Sequence, residues 1–305
     1  RAISADLIPS LSSNPYMTAT TTISPPTGIN AENILDDGFD IIWTEKLRIS
    51  NYYVDVSTSN SSNDPFVPIS GYANLPVTSS NNSISGLVPG KTYYYRLRAS
   101  GDDFESISSS IASFTTTISP PVVDYPTNAD DSGFTASWQA IGGITQYYLD
   151  VLEGNASGSP HPTYDNIPVT GTQFNVNGLR PGKKYFFRLR SKGTASTSVD
   201  SPPMEVLTTI SNPIATNASS MTNSSFVANW DQTLGVLNYR IDVAEDINFS
   251  QMVDGYEDRF VPSTETALLV EGLKPGREYY YRLRAKGDEL ISDNSNTKEA
   301  ITDLA

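Results

Sequence analysis

Short runs of alternating hydrophobic and polar residues dominate the chain. Residues 93–99 read Tyr-Tyr-Tyr-Arg-Leu-Arg-Ala, which turns four apolar or aromatic side chains to one side and both arginines to the other. Residues 39–43 and 52–56 alternate in the same way. No segment keeps the 3.6-residue period of an amphipathic helix. The pattern therefore predicts an all-β protein of short strands separated by turns.

This pattern occurs three times. The sequence Leu-Val-Pro-Gly-Lys-Thr-Tyr-Tyr-Tyr-Arg-Leu-Arg-Ala at 87–99 returns in similar form at 179–191 and at 273–285. The first tyrosines of the three copies lie 92 and then 94 residues apart. Such a repeat is too long for a solenoid and suits a domain with its own core. Two further markers share the pitch, a tryptophan and a Tyr-x-Asn/Asp-x-x-Val sequence: Trp43, Trp138 and Trp230, and Tyr72, Tyr164 and Tyr256.

Short proline-containing segments separate the repeats. Proline fixes φ and withholds a backbone donor, which ends a strand and stiffens the crossing between domains. The predicted domains are 23–117, 118–209 and 210–305. Residues 1–22 match the end of a repeat and are predicted to be the remnant of a preceding domain, comprising the end of its strand F, its last loop and its strand G.

The repeat resembles the fibronectin type III family. The residues that carry the resemblance are the early tryptophan, the Leu-x-Pro-Gly-x-x-Tyr corner and the Tyr-x-Arg-x-Arg strand that follows. The sequence of the repeat is similar to that of the fibronectin type III domains found in secreted and surface proteins of Bacteroidota. The resemblance implies three tandem immunoglobulin-like β-sandwiches in an extended array.

The resemblance also assigns a structural role to one tyrosine in each repeat. In this family the corner tyrosine packs at the end of the sandwich and hydrogen-bonds upstream backbone through its hydroxyl. The matching residues are Tyr93, Tyr185 and Tyr279. Trp43, Trp138 and Trp230 are expected in the cores.

The outward face of the strand after the corner has two interpretations. Its alternating aromatic and basic residues could bind an acidic glycan or partner. Alternatively, the arginines pair with an aspartate on the neighbouring strand, because opposite charges on adjacent strands attract. The aspartate recurs where the arginines need it, which favours the cross-strand ladder. Its members are Asp55, Arg96 and Arg98, Asp150, Arg188 and Arg190, and Asp242, Arg282 and Arg284.

Composition removes several classes of function. The 305-residue chain has no cysteine, one histidine and a formal net charge of −14. Thiolate chemistry is excluded, and an acidic chain is a poor partner for nucleic acid. We expect no cofactor, no catalytic residue and no resident metal. The chain has no run of 18 or more apolar residues, so no membrane-spanning helix is predicted in this segment.

Other motifs have a plain explanation beside a functional one. His161 lies in a proline-bounded loop with no marked catalytic partners. The acidic pairs at 36–37, 102–103 and 130–131 are typical of turns, with calcium at a domain junction as the alternative. The Lys-Gly-Asp sequence at 286–288 resembles an integrin-reading tripeptide, but a glycine turn explains it. Six Asn-x-Ser/Thr sequons are about the number expected by chance and do not indicate glycosylation.

The combined pattern predicts a non-enzymatic array at the cell surface or outside the cell. We expect a stalk, filament or adhesin segment of a larger bacterial surface protein, with neighbouring domains of the same chain as partners. Other copies of the chain, a surface glycan or a surface protein are further candidate partners. An accessory spacer or carbohydrate-binding region of a secreted polysaccharide-degrading enzyme is the alternative.

Overall fold

A computed structural model describes residues 22–49, 51–60, 66–102 and 104–305. These residues form twenty β-strands and no helix, which confirms the all-β prediction. The predicted remnant of a preceding domain lies outside the described residues except for Thr22. None of the described residues belongs to a helix that is long and apolar enough to cross a membrane.

The first sandwich has seven strands in two sheets. One sheet has the order β1-β2-β5 and the other β4-β3-β6-β7, with neighbouring strands antiparallel. The strands are β1 (Thr27–Glu32), β2 (Gly38–Thr44), β3 (Asn51–Ser57), β4 (Leu75–Val77), β5 (Asn81–Ser85), β6 (Thr92–Ser100) and β7 (Ala112–Thr115).

The second sandwich has six strands. Its larger sheet has the order β10-β9-β12-β13, and β11 pairs with β8 on the opposite side. Isolated bridges from Val123 to Trp138 and from Thr127 to Thr135 take the place of a regular first strand. The strands are β8 (Phe134–Ser137), β9 (Gln146–Glu153), β10 (Ile167–Thr170), β11 (Gln173–Val176), β12 (Lys184–Lys192) and β13 (Met204–Leu207).

The third sandwich repeats the plan of the first. Its sheets have the orders β14-β15-β18 and β17-β16-β19-β20. The strands are β14 (Ala215–Ser219), β15 (Ser225–Trp230), β16 (Asn238–Ala244), β17 (Arg259–Pro262), β18 (Ala267–Glu271), β19 (Glu278–Lys286) and β20 (Lys298–Ile301).

Alternating burial along each strand builds the cores. Along β6, β12 and β19 every second residue is buried, and the intervening residues are partly exposed apart from the exposed Glu278. The cores of the second and third sandwiches draw on separate residues, the second on 134–206 and the third on 215–300. In the first sandwich, Phe39 and Tyr95 pack with ring centroids 5.3 Å apart, and Phe114 contacts both rings. Separate hydrophobic clusters of this kind let each sandwich fold as a unit.

The described chain divides into two compact units. Residues up to Phe114 form the first, apart from 35–37 and 86–91, which join residues 115–305 in the second. The second unit thus holds the second and third sandwiches together with the turns at 35–37 and 86–91.

Candidate functional site

On one sheet of every sandwich, two arginines lie beside one nearly buried aspartate. In the second sandwich Arg188 lies opposite Asp150 in the β9–β12 pairing, and its Nε lies 3.1 Å from Asp150 Oδ2. Arg190 Nη2 lies 3.2 Å from the same oxygen. The Asp150 side chain is 3% exposed, and those of Arg188 and Arg190 are 30% and 27% exposed, so a nearly buried carboxylate is matched by two cations.

The same arrangement recurs in the other sandwiches. Asp55 Oδ2 is 3.0 Å from Arg96 Nε, and Asp242 Oδ2 is 3.2 Å from Arg282 Nε. The second arginine of each set, Arg98 or Arg284, lies 3.9 Å or 3.3 Å from its aspartate. Each predicted set is therefore brought together on one face, and its arginines already have acidic partners.

The Tyr-x-Asn/Asp marker, to which sequence analysis gave no role, completes this ladder. The backbone N–H of Asn166 donates to Asp150 Oδ1 over 2.6 Å, and the Asn166 side-chain oxygen accepts from Arg190 at 2.8 Å. Asn166 has a φ of +55°, which asparagine adopts more readily than most residues. Asp258 makes the matching bonds to Asp242 and Arg284. Asparagine at this position could have suggested a left-handed turn. It could not have shown that the backbone N–H of the turn would bind Asp150.

The corner tyrosines of the second and third sandwiches accept a backbone N–H from five residues upstream. Tyr185 Oη accepts the backbone N–H of Arg180 at 3.0 Å, and Tyr279 Oη accepts that of Lys274 at 2.9 Å. Tyr93 is 2% exposed at the same place in the first sandwich. Burial raises the pKa of Tyr185, although the N–H of Arg180 and the nearby Lys183 oppose the rise. A raised pKa keeps the hydroxyl neutral at physiological pH.

Each core tryptophan packs on a second buried tyrosine. The ring centroids of Trp138 and Tyr147 are 5.4 Å apart, and Tyr147 Oη accepts the N–H of Ile141. The matching pairs are Trp43 with Tyr52 and Trp230 with Tyr239. The indole N–H of all three tryptophans is buried without a hydrogen-bond partner. Their contribution is therefore packing.

Beside β12, serine hydroxyls accept backbone N–H groups that a neighbouring strand would otherwise bind. Beyond the reach of β13, Ser201 Oγ accepts the N–H of Leu189 at 3.0 Å, and Ser198 Oγ accepts the N–H of Ser191 at 2.9 Å. The other sandwiches repeat both bonds. These buried serines were missed because serine is common in loops, and only its fixed spacing from the arginine strand could have singled it out.

His161 lies in a small polar cluster. Its Nε2 is 4.0 Å from Glu153 Oε1, and the other oxygen of Glu153 lies 2.5 Å from Lys183 Nζ. The Thr163 N–H donates to His161 Nδ1 at 3.3 Å. The described residues contain no group of three or more metal-ligating side chains, at His161 or elsewhere.

Glycine residues make a close backbone contact between the second and third sandwiches. Gly182 belongs to the Pro-Gly turn before β12, and Gly287 lies directly after β19. A Cβ on Gly287 would lie 2.8 Å from Gly182 Cα, so a side chain does not fit. The Glu289 N–H donates to Gly182 O at 2.7 Å. The Lys-Gly-Asp sequence at 286–288 therefore lies in this junction.

Further contacts hold the same junction. Gly235, with a φ of +77°, faces Pro181: a Cβ at this position would lie 2.7 Å from the proline Cδ. Lys183 Nζ lies 3.9 Å from Asp288 Oδ2. Ile210, in the connecting segment, packs against the core of the third sandwich.

The turn at 86–91 repeats this geometry within the second unit. The Ala195 N–H donates to Gly90 O at 2.8 Å, and a Cβ on Gly193 would lie 2.7 Å from Gly90 Cα. Gly143 faces Val88 as Gly235 faces Pro181. The Pro-Gly turns at 89–90 and 181–182 thus each contact a glycine turn, at Gly193 and Gly287.

In two of the acidic pairs, one aspartate hydrogen-bonds the segment that connects to the next domain. Asp131 accepts the Thr209 hydroxyl at 2.5 Å and the Ser211 N–H at 2.8 Å. Asp36 accepts the matching bonds from Thr117 and Ser119. Burial on its own would raise the pKa of Asp36, but these bonds outweigh it and lower the pKa. These carboxylates hold the connecting segments in place, and the described part of the chain has no cluster of three or more metal-ligating side chains.

Comparison with known proteins places this geometry in a family. The fibronectin type III domain model matches residues 24–115, 120–207 and 211–299. Chicken (Gallus gallus) tenascin is 24% identical over 294 residues, and human (Homo sapiens) tenascin-N is 23% identical over 305. These matches cover 94% of this chain but only 15% and 21% of the relatives.

One solved structure is a two-domain fibronectin type III segment from chicken tenascin. It is 16% identical, with a TM-score of 0.48, and the match covers 60% of this chain and 99% of the segment. The family model covers most of the residues in three consecutive stretches, each with one core tryptophan and one corner tyrosine. This chain belongs to the fibronectin type III family, as three domains in tandem.

Proposed function

We propose that this chain is a non-enzymatic structural array that acts outside the cell as a stalk, filament or adhesin segment of a bacterial surface protein. Its task is geometric: it holds whatever is attached to it at a fixed distance and orientation. The observation that carries the proposal is the backbone contact at Gly182 and Gly287, with its 2.7 Å hydrogen bond from Glu289.

Domains joined in tandem move relative to each other unless their junction restrains them. Here the junction combines a backbone hydrogen bond, a contact that only glycine permits and an aspartate that binds the connecting segment. Backbone groups have no rotamers to lose, so such a contact restrains orientation at little cost in side-chain entropy. A flexible tether would need none of these features.

The outer-sheet stripes support the same proposal. Their arginines are engaged by nearly buried aspartates, so an acidic ligand would have to displace existing ion pairs. The similarity to tenascin and tenascin-N supports an extracellular setting. The bacterial surface and the choice among stalk, filament and adhesin are part of the proposal.

The test is a distance measurement across the second junction. The chain has no cysteine, so Ala156→Cys and Thr264→Cys, both at exposed positions, accept spin labels without background. Double electron–electron resonance should give one narrow distance distribution. Gly287→Ala should broaden it, because the new Cβ would meet Gly182 backbone.

Gly142→Ala is the matched control, since a Cβ there meets nothing within 4 Å. It should leave the distribution narrow. A distribution in the parent chain as broad as that of Gly287→Ala would overturn the proposal, because the junction would then restrain nothing.

A further inference from the structure

The exposed end of the third sandwich is a third copy of the junction surface. Pro89 and Gly90 are buried, as are Pro181 and Gly182, whereas the equivalent Pro275 and Gly276 are exposed. Gly276 keeps the left-handed backbone of the other two glycines, with φ values of +60°, +58° and +62° in chain order. Its N–H donates to Asp303 O, as that of Gly182 does to Thr209 O.

The residue that packs under the following sandwich is also present. Ile118 and Ile210 lie beside Gly90 and Gly182, and each packs against the core of the next sandwich. Leu304 takes this place beside Gly276, with its Cδ2 2.8 Å from the position of a Cβ on the glycine. Leu304 is 85% exposed. The same apolar position is therefore covered at two equivalent places and exposed at the third.

We propose that Pro275, Gly276 and Leu304 form a docking surface for a further fibronectin type III domain that is joined to Ala305 by a short linker. This inference rests on the proposed function. The incoming domain needs a glycine after its outer strand, as at Gly193 and Gly287, with a free backbone N–H two residues later. It also needs a glycine where Gly143 and Gly235 face the preceding domain.

The domain that occupies this surface must be joined covalently, because the contact is too small to hold a separate molecule. Backbone hydrogen bonds to one carbonyl, one apolar side chain and a few glycine contacts do not repay the entropy of bringing two free molecules together. A linker removes most of that cost by raising the effective concentration. A second copy of this chain is also poorly shaped for the role. Its first sandwich has Arg48, with a φ of +65°, at the position of Gly143 and Gly235.

The test extends the full chain with a copy of its own third sandwich. Residues 212–305 are repeated after Ala305, so that Leu304 and Ala305 take the places of Ile210 and Ser211. The repeat forms its own core, because the buried cluster of the third sandwich lies within 215–300. Leu304→Asp is then introduced into both the extended and the original chain.

In the extended chain, Leu304→Asp should speed hydrogen exchange at the repeated copy of Glu289 about tenfold, the loss of roughly one hydrogen bond. In the original chain it should leave the thermal midpoint unchanged, because Leu304 is exposed. Ile247→Asp, at a 62% exposed position, is the control and should change neither chain. Equal exchange with and without Leu304→Asp would overturn the docking surface.

Two further outcomes are distinguishable. If the original chain dimerises in sedimentation experiments and Leu304→Asp prevents it, the occupant is a second copy of the chain. The proposal of a covalently joined domain would then be wrong. If Gly287→Ala broadens the distance distribution at the existing junction while the added domain stays undocked, only this inference fails. If neither junction restrains its domains, the proposed function fails as well.

Discussion

Asn166 donates its backbone N–H to Asp150 over 2.6 Å, at the oxygen that the Nε of Arg188 does not contact. One nearly buried carboxylate thus ties together β9, β12 and the segment that leads into β10. The charge is satisfied by two cations and one backbone donor, so removing it leaves several partners without an acceptor.

Asp150→Asn should therefore lower the free energy of unfolding of the second sandwich by about 2 kcal/mol, the range for hydrogen bonds to charged groups. Chemical denaturation of the full chain, followed by hydrogen exchange at β9, measures the change. Asp165→Asn is the control, because Asp165 is exposed and one residue from the same turn. A loss in the control as large as in Asp150→Asn would contradict the role assigned to the carboxylate.

The predicted parts of this site were those that depend on strand periodicity. Asp150, Arg188 and Arg190 occur at positions that period 2 and a known strand order bring to one face. Asn166 and Ser201 were not predicted to join them, because both lie in irregular segments whose path depends on tertiary packing. Gly287 was predicted to lie in a turn, but a sequence does not reveal that this turn packs against the turn at Gly182.

The corner tyrosine offers a second test. Tyr185→Phe keeps the buried ring and removes the acceptor of the Arg180 N–H, so it should cost about 1 kcal/mol of stability. Tyr148→Phe is the control, since Tyr148 is partly exposed on the same sheet. Denaturation midpoints that are equal for Tyr185→Phe and the parent chain would show that the hydroxyl contributes nothing.

The serine acceptors should be as important as the tyrosine. Ser201→Ala leaves the buried N–H of Leu189 without its 3.0 Å partner, at an expected cost of 1–3 kcal/mol, or about 2. Faster hydrogen exchange at the Leu189 amide would report the loss. Thr197→Ala, at an exposed position nearby, should leave that amide unchanged. An unaltered rate in Ser201→Ala would mean that the amide finds another acceptor.

Alkaline pH should weaken the first sandwich through one buried phenol. Burial raises the pKa of Tyr95 from 10.0 to about 12. A group with a raised pKa in the folded state contributes stability that is complete below pH 10 and is lost as pH rises through about 12. Tyr95→Phe removes this titration, so its stability relative to the parent chain should improve as the pH rises from 10 to about 12.

Denaturant titrations at several pH values measure that difference. Phe187 occupies the same place in the second sandwich, which indicates that a phenyl ring fits there. Tyr125→Phe is the control because Tyr125 is 82% exposed. A difference between Tyr95→Phe and the parent chain that does not change with pH would contradict the assignment.

Two glycines in the third sandwich separate backbone strain from docking. Gly235 and Gly272 have φ values of +77° and +78°, so alanine at either position costs about 1 kcal/mol in backbone energy. They differ in surroundings: a Cβ on Gly235 would lie 2.7 Å from Pro181, whereas one on Gly272 meets nothing within 4 Å. Gly235→Ala should therefore also force the second and third sandwiches apart.

Hydrogen exchange at the Glu289 amide reports this separation, because its N–H donates to Gly182 across the junction. The rate should rise about tenfold in Gly235→Ala, corresponding to loss of roughly one hydrogen bond, and stay near that of the parent chain in Gly272→Ala. Equal rates in the two variants would mean that strain within the third sandwich, rather than contact with Pro181, controls the junction. Since the two changes add the same methyl group at nearly the same φ, any difference between them measures the contact itself.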